Sequence, residues 1–256
     1  MTLTGLIGHV CMFPLRGIIR ASVALRIHPN VLTLVGVLIN VGAACALGVD
    51  RFVLAGVIIL AGNIFDFIDG KVAHVTNTVS RFGAFWDSTL DRFSDFALFL
   101  GLIYLYADLR RTDYVMVAAL AMMFSIMTSY ARARAESLIE KCKVGFMERP
   151  ERIVLFLIGA FTNRMAAVLW VILVLSIVTV ANRIHYTYLV LNDRPMPVGA
   201  NPVSLVLVRA FFWRDERGTP AYDLWVAAIL AFVWLTPPAW LRDPTAAGLG
   251  LWSWLP

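Results

Sequence analysis

The apolar residues of this chain fall in blocks long enough to cross ~30 Å of hydrocarbon as helices, and that limits what it can fold into. Six blocks read as membrane helices: 31–49, 52–68, 82–106, 114–130, a short 153–161 lengthened at its start by Pro150, and 165–182. A further candidate, 223–241, is interrupted by Pro237-Pro238, and the apolar segment 204–213 is too short to span and reads as interfacial. Composition agrees. Of 256 residues, 60% are hydrophobic and 15% charged, with a mean hydropathy of +0.76, whereas a soluble domain of this size needs more charged surface. The expected fold class is all-α: a polytopic six-helix transmembrane bundle with an N-terminal interfacial helix and a seventh helix as a candidate.

Three regions follow. Residues 1–28 alternate apolar positions (Leu15, Ile18, Ile19) with Arg16 and Arg20, the pattern of an interfacial amphipathic helix or of an ordinary cytoplasmic lead-in. His28-Pro29-Asn30 breaks it before the first span. Residues 29–191 form the transmembrane domain, and 192–256 a C-terminal extension. In that extension 214–218 reads as a solvated turn, and Trp213, Trp225, Trp234, Trp240, Trp252 and Trp254 suit interface anchoring.

The net charge of +5 reads as cytoplasmic loop charge and membrane-lipid contact, and no basic, aromatic-rich segment of the nucleic-acid-binding type appears. With the N-terminus inside, most basic residues fall in cytoplasmic segments, while Arg51, Arg110, Arg111 and Arg164 fall outside. The expected location is the cell membrane, multi-pass, with the acidic cluster facing the cytoplasm. Cys11, Cys45 and Cys142 are scattered and give neither a disulfide framework nor a zinc site.

That cluster is the chemical signal. Asp66 and Asp69 stand three apart at the end of the second span, and Asp87 and Asp91 four apart in the third. On helices both spacings place two carboxylates on one face, and the short link lets the pairs face each other. Four carboxylates beside lipid are costly without counter-charge. Hard oxygen ligands suit Mg²⁺ or Mn²⁺, and two such ions can clamp a phosphoryl group. Gly70 and Gly83, lacking side chains, let a nucleotide approach the backbone. The competing account makes these acids polar helix ends paired with Arg81 and Arg92.

The whole segment resembles the signature of the CDP-alcohol phosphatidyltransferases, D-x2-D-G-x2-A-R-x8-G-x3-D-x3-D: Asp66, Asp69, Gly70, Ala73, Gly83, Asp87 and Asp91 match in register. The resemblance implies a homodimer of six-helix subunits and two metal ions, Mg²⁺ or Mn²⁺, on Asp66, Asp69, Asp87 and Asp91. It makes Asp91 the catalytic base, and Pro29, Asn30, Val31, Leu32, Gly70, His74, Ser80 and Gly83 the CDP-lipid contacts. His74 departs from the pattern, which has arginine there, and Lys71 is placed one turn earlier to supply the charge.

Within the family the chain looks most like the phosphatidylinositol phosphate synthases. The blocks Ser129-Tyr130-Ala131-Arg132-Ala133-Arg134-Ala135-Glu136, Glu148-Arg149-Pro150-Glu151-Arg152 and Asn182-Arg183-Ile184-His185 carry that likeness. By it, Arg132, Arg152 and Arg183 bind the acceptor's phosphate, a task suited to guanidinium groups, although basic residues at cytoplasmic helix ends are also expected from topology alone. The implied reaction transfers a phosphatidyl group from CDP-diacylglycerol to inositol phosphate, releasing CMP. Glycerol 3-phosphate is the alternative acceptor, and a cation transporter using intramembrane acids is the alternative of another class.

Overall fold

The computed structural model describes residues 15, 17–197, 201, 204, 208, 209, 211–213 and 219–245. The expectations for Cys11, Arg16, 205–207, 210, 214–218, Trp252 and Trp254 lie outside the described residues. All regular structure among the described residues is helical. Helix α1 covers 17–24, α2 Pro29–Gly48, α3 Phe52–Val75, α4 Arg81–Asp108, α5 Thr112–Ala135, α6 Arg149–Thr162, α7 Met165–Leu191, α8 Pro220–Leu235 and α9 Pro238–Leu241.

Helices α2, α3, α5 and α7 are long and apolar enough to span a membrane. Helix α4 is the longest but carries acids along its first half, and α6, with 14 residues, is ~21 Å long. Several helices run past their apolar blocks: α3 continues to Val75, α5 to Ala135 and α7 to Leu191. These polar helical extensions hold the charged residues of the site on rigid backbone.

Helix α2 packs against α3 and α4, α5 against α4 and α7, and α6 against α3 and α7. Small residues permit close approach, as is usual between membrane helices. At Gly101 on α4 a side-chain carbon would land on the Ala44 carbonyl of α2. The core includes Leu98, Leu102, Ala118, Ala121 and Ala166, with Phe99 edge-on to Phe156 at 5.1 Å.

The N-terminal helix has one apolar face, but Ile18, one of its expected apolar positions, is exposed. Leu15, Ile19, Val23 and Ile27, one turn apart, pack on Leu32, Ile68 and Val72, while Arg20 is exposed. Arg26 turns with φ 53°, and the His28 Nδ1 caps α2 by accepting from the Asn30 amide at 3.2 Å, with Pro29 in the first helical turn. The break therefore lies at 25–28, and Pro29 and Asn30, expected within it, already belong to α2.

The candidate seventh helix also exists, as α8. Its 16 residues make ~24 Å, and it ends at Thr236, before Pro237-Pro238. At its start the Tyr222 hydroxyl donates to Glu151 Oε1 at 3.3 Å, on the end of the bundle that carries the acids. Past its end, Arg164 donates to the Thr236 carbonyl at 3.2 Å, Tyr114 to the Leu241 carbonyl at 2.5 Å, and Asn163 to the Thr245 carbonyl at 2.8 Å. The segment therefore runs the depth of the bundle and finishes at the end opposite the acids.

Candidate active site

The acids gather where α3 ends and α4 begins. Asp66 and Asp69 lie in the last three turns of α3, and Asp87, Asp91 and Asp95 follow one face of α4. Asp69 stands within electrostatic reach of Asp66 and Asp87, and Asp91 of Asp66, Asp87 and Asp95. The facing of the two pairs expected from helical spacing is therefore realised. Room for Asp66 comes from Gly36, where a side-chain carbon would collide with the Asp66 carboxylate. Thr33, on the same helix, donates to Asp69 Oδ2 at 2.5 Å.

Beside these acids opens a cavity lined by Pro29, Asn30, Thr33, Asp69, Gly70, Ala73, His74, Thr78, Val79, Ser80, Gly83, Ala84 and Asp87. Six of the expected CDP-lipid contacts (Pro29, Asn30, Gly70, His74, Ser80 and Gly83) are among them. Val31 and Leu32 are not: Val31 is exposed on the outside of α2, and Leu32 is buried against Ile68 and Val72. Successive helical positions diverge by ~100°, so a four-residue stretch cannot turn wholly toward one cavity. Lys71 is also absent from the lining, its ammonium lying 5.5 Å over the Phe67 ring. Ser80 caps α4 by accepting from the Gly83 amide at 3.0 Å, which sets the helix start and its free amides at the cavity wall. The Trp86 indole donates to the Asn30 carbonyl at 3.2 Å and ties the starts of α2 and α4 together. At Gly70 a side-chain carbon would meet nothing within 4 Å, so open space adjoins the backbone there.

The three predicted arginines come from three helices and form one group; Arg183, expected at a helix end, lies more than two turns inside α7, which continues to Leu191. Arg132, at the end of α5, donates to Glu148 Oε1 at 2.9 Å and to Glu136 at 3.0 Å. Arg183 of α7 donates to the same Glu148 oxygen at 3.3 Å, to the Thr128 carbonyl at 2.6 Å and to the Val144 carbonyl at 3.0 Å. Arg152 of α6 donates to Thr128 Oγ1 at 3.3 Å. Arg152 and Arg183 are each only 2% exposed, while Arg132 is partly open to solvent. The 136–148 loop that delivers α6 is fixed by Gly145, at φ +94° and tight against Thr179, and by the Met147 amide donating to Thr179 Oγ1 at 3.1 Å.

Two residues not singled out from the sequence join the acidic and basic groups. Asp95, 4% exposed, accepts from Arg152 Nη2 at 2.6 Å and Nε at 3.2 Å. Arg149 reaches Asp66 Oδ2 at 2.5 Å and Asp91 Oδ1 at 2.8 Å, and its Nε lies 3.9 Å from Asp95 Oδ1. The signal for Asp95 was its place four residues beyond Asp91. Arg149 was visible within Glu148–Arg152, but only the fold brings it to acids more than fifty positions earlier. The acids therefore do have an arginine partner, though it is not Arg81 or Arg92. The Arg92 guanidinium donates to the Ser88 carbonyl of its own helix.

The donor chemistry fits divalent cations: clustered carboxylates from two helices, with a guanidinium already acting as counter-cation to two of them. Among the described residues, no three acid, histidine or cysteine side chains converge closely enough to hold one ion. Arg149 lies between Asp66 and Asp91, and Thr33 engages Asp69.

Known proteins resemble the chain in the same region. The model of the CDP-alcohol phosphatidyltransferase family matches residues 26–191, so α8 lies beyond the match. An archaetidylinositol phosphate synthase from Pyrococcus horikoshii is 35% identical over 173 residues, 67% of this chain and 89% of that protein. A phosphatidylinositol phosphate synthase from Mycobacteroides abscessus is 34% identical over 176 residues, 64% of this chain and 80% of that one. The crystal structure of Mycobacterium tuberculosis phosphatidylinositol phosphate synthase with CDP-DAG bound aligns with a TM-score of 0.64 at 28% identity, covering 68% of this chain and 93% of that one. The same enzyme in complex with manganese and citrate aligns with a TM-score of 0.64 at 29% identity, covering 67% of this chain and 88% of that one.

Proposed function

The chain belongs to the CDP-alcohol phosphatidyltransferase family, and from that premise we propose that it is a multi-pass membrane enzyme transferring the phosphatidyl group of CDP-diacylglycerol to inositol 1-phosphate, with release of CMP. The observation that carries this reading is the meeting, at one end of the bundle, of an acid-lined cavity with a three-arginine group, joined through Arg149, Arg152 and Asp95. A CDP-lipid needs the first and a phosphorylated acceptor the second. The names of the relatives point the same way.

In this reading Asp66, Asp69, Asp87 and Asp91 hold two ions, Mg²⁺ or Mn²⁺, consistent with the manganese complex of the M. tuberculosis relative. When bound, such ions neutralise phosphate charge and stabilise the oxygens entering and leaving phosphorus. The chain's own residues do the rest. The cytidine diphosphate lies along Gly70 and Gly83, with Asn30, Ser80 and His74 as polar neighbours. Arg132, Arg152 and Arg183 anchor the acceptor's phosphate, and burial of two of them strengthens their pull by excluding water. Asp91 takes the proton of the acceptor hydroxyl. The hydroxyl oxygen then forms a bond to the lipid-side phosphorus, the bond from that phosphorus to the bridging diphosphate oxygen breaks, and CMP departs. The active site faces the cytoplasm of a cell membrane, and the enzyme works as a homodimer.

The test is a radiolabelled acceptor assay on purified protein in detergent, with CDP-diacylglycerol and Mg²⁺ or Mn²⁺. CMP and labelled lipid should form with inositol 1-phosphate, and turnover should fall by about 10²–10⁴-fold in Asp91→Asn while the protein stays folded. Faster turnover of glycerol 3-phosphate would overturn the acceptor. No CMP release with either acceptor would overturn the reaction and leave a transporter as the better account.

A further inference from the structure

Arg149 occupies a place that the proposed reaction assigns to metal. Its two terminal nitrogens grip carboxylates from different helices, Asp66 on α3 and Asp91 on α4, at 2.5 and 2.8 Å. Both acids belong to the set that would hold the ions. A guanidinium forked between two carboxylates uses the oxygens a dication would need. With Arg149 there, no three described acids converge on a common point. Arg149 is not locked in by burial: its side chain is 22% exposed, against 2% for neighbouring Arg152. It stands in the first turn of α6 with Pro150 after it, so its backbone is fixed while its long side chain can swing.

We propose that Arg149 is an exchangeable counter-cation, which bridges Asp66 and Asp91 before metal binds and is displaced from at least one of them when metal enters. The inference rests on the metal reading above and deepens it. The exchange has two consequences. Before metal arrives, the guanidinium offsets the charge of Asp66 and Asp91 beside lipid and ties α3 to α4 through them. Once metal is bound, a released guanidinium stands three residues from Arg152, where an anionic acceptor arrives. Metal occupancy and acceptor affinity are then linked, each raising the other.

The experiment is a Mn²⁺ titration of the full-length protein, read by electron paramagnetic resonance, for wild type, Arg149→Gln and Arg149→Lys. A competing occupant lowers apparent metal affinity by the fraction of sites it leaves open. Occupancy of about nine in ten therefore predicts a tightening of about tenfold in Arg149→Gln. Arg149→Lys separates exchange from simple repulsion. It keeps the charge but cannot fork across two carboxylates, and should still tighten Mn²⁺ binding by about threefold. Equal Mn²⁺ affinity in wild type and Arg149→Lys, or weaker binding in Arg149→Gln, would overturn the exchange while leaving the metal reading intact. Absence of Mn²⁺ binding in wild type would overturn both. Wild-type protein alone gives a second readout if the variants fail to fold. Phenylglyoxal labelling of Arg149, followed by peptide mass spectrometry, should rise when Mn²⁺ is added without acceptor. Unchanged or reduced labelling would count against displacement.

Discussion

Replacing Asp95 with asparagine keeps its shape and removes its charge. That leaves Arg152 charged and 2% exposed without its ion-pair partner, although the amide oxygen can still accept the two bonds that both go to Oδ2, at 2.6 and 3.2 Å. Breaking a buried pair on one side costs about 3–5 kcal/mol. For a chain of this length that corresponds to a fall in Tm of roughly 6–20 °C. The reverse change, Arg152→Met, should sit near the lower end, about 3 kcal/mol, because Asp95 still faces Arg149 at 3.9 Å. The Thr128 hydroxyl released by Arg152 keeps its bond to the Ser125 carbonyl at 2.7 Å. The combined variant Asp95→Leu/Arg152→Met leaves neither charge buried and should cost less than either single change, as apolar replacement of a buried pair often does. It should nonetheless bind the acceptor poorly, having lost a proposed phosphate ligand. Reversible unfolding in mixed detergent micelles measures all three variants. A combined variant that costs more than the costlier single change would refute the pair as a coupled unit.

Three further outcomes follow from the same geometry. Gly101→Ala places a carbon on the Ala44 carbonyl; backbone cannot yield there, so a loss of at least about 1–3 kcal/mol is expected in the same unfolding assay. Gly70→Ala meets open space within its helix, so stability should rise by about 0.5–1 kcal/mol while the KM for CDP-diacylglycerol increases, because the methyl enters the proposed nucleotide path. His74 lines the cavity, so His74→Arg should lower the KM for CDP-diacylglycerol and leave the KM for inositol 1-phosphate unchanged. A rise in both would show that the larger side chain obstructs the site.

The chain's hydrophobic blocks and acid spacing went far by themselves. Blocks of the required length specify membrane helices because backbone in hydrocarbon must bond to itself, and 3.6 residues per turn puts Asp66 with Asp69, and Asp87 with Asp91, whatever surrounds them. Pro29 and Pro150 likewise announce helix starts, and Pro237-Pro238 a helix end, because the ring constrains the local backbone. Spacing cannot report partners across the bundle. Arg149 is 83 positions from Asp66, Arg152 57 from Asp95, and Arg183 55 from Thr128, distances over which local periodicity carries no information. Four clustered acids called for positive charge, but the packing of α6 against α3 decided that Arg149 supplies it. The same packing decided that Arg152 and Arg183 are buried rather than open, and that α8, beyond the family match, joins the bundle at both its ends.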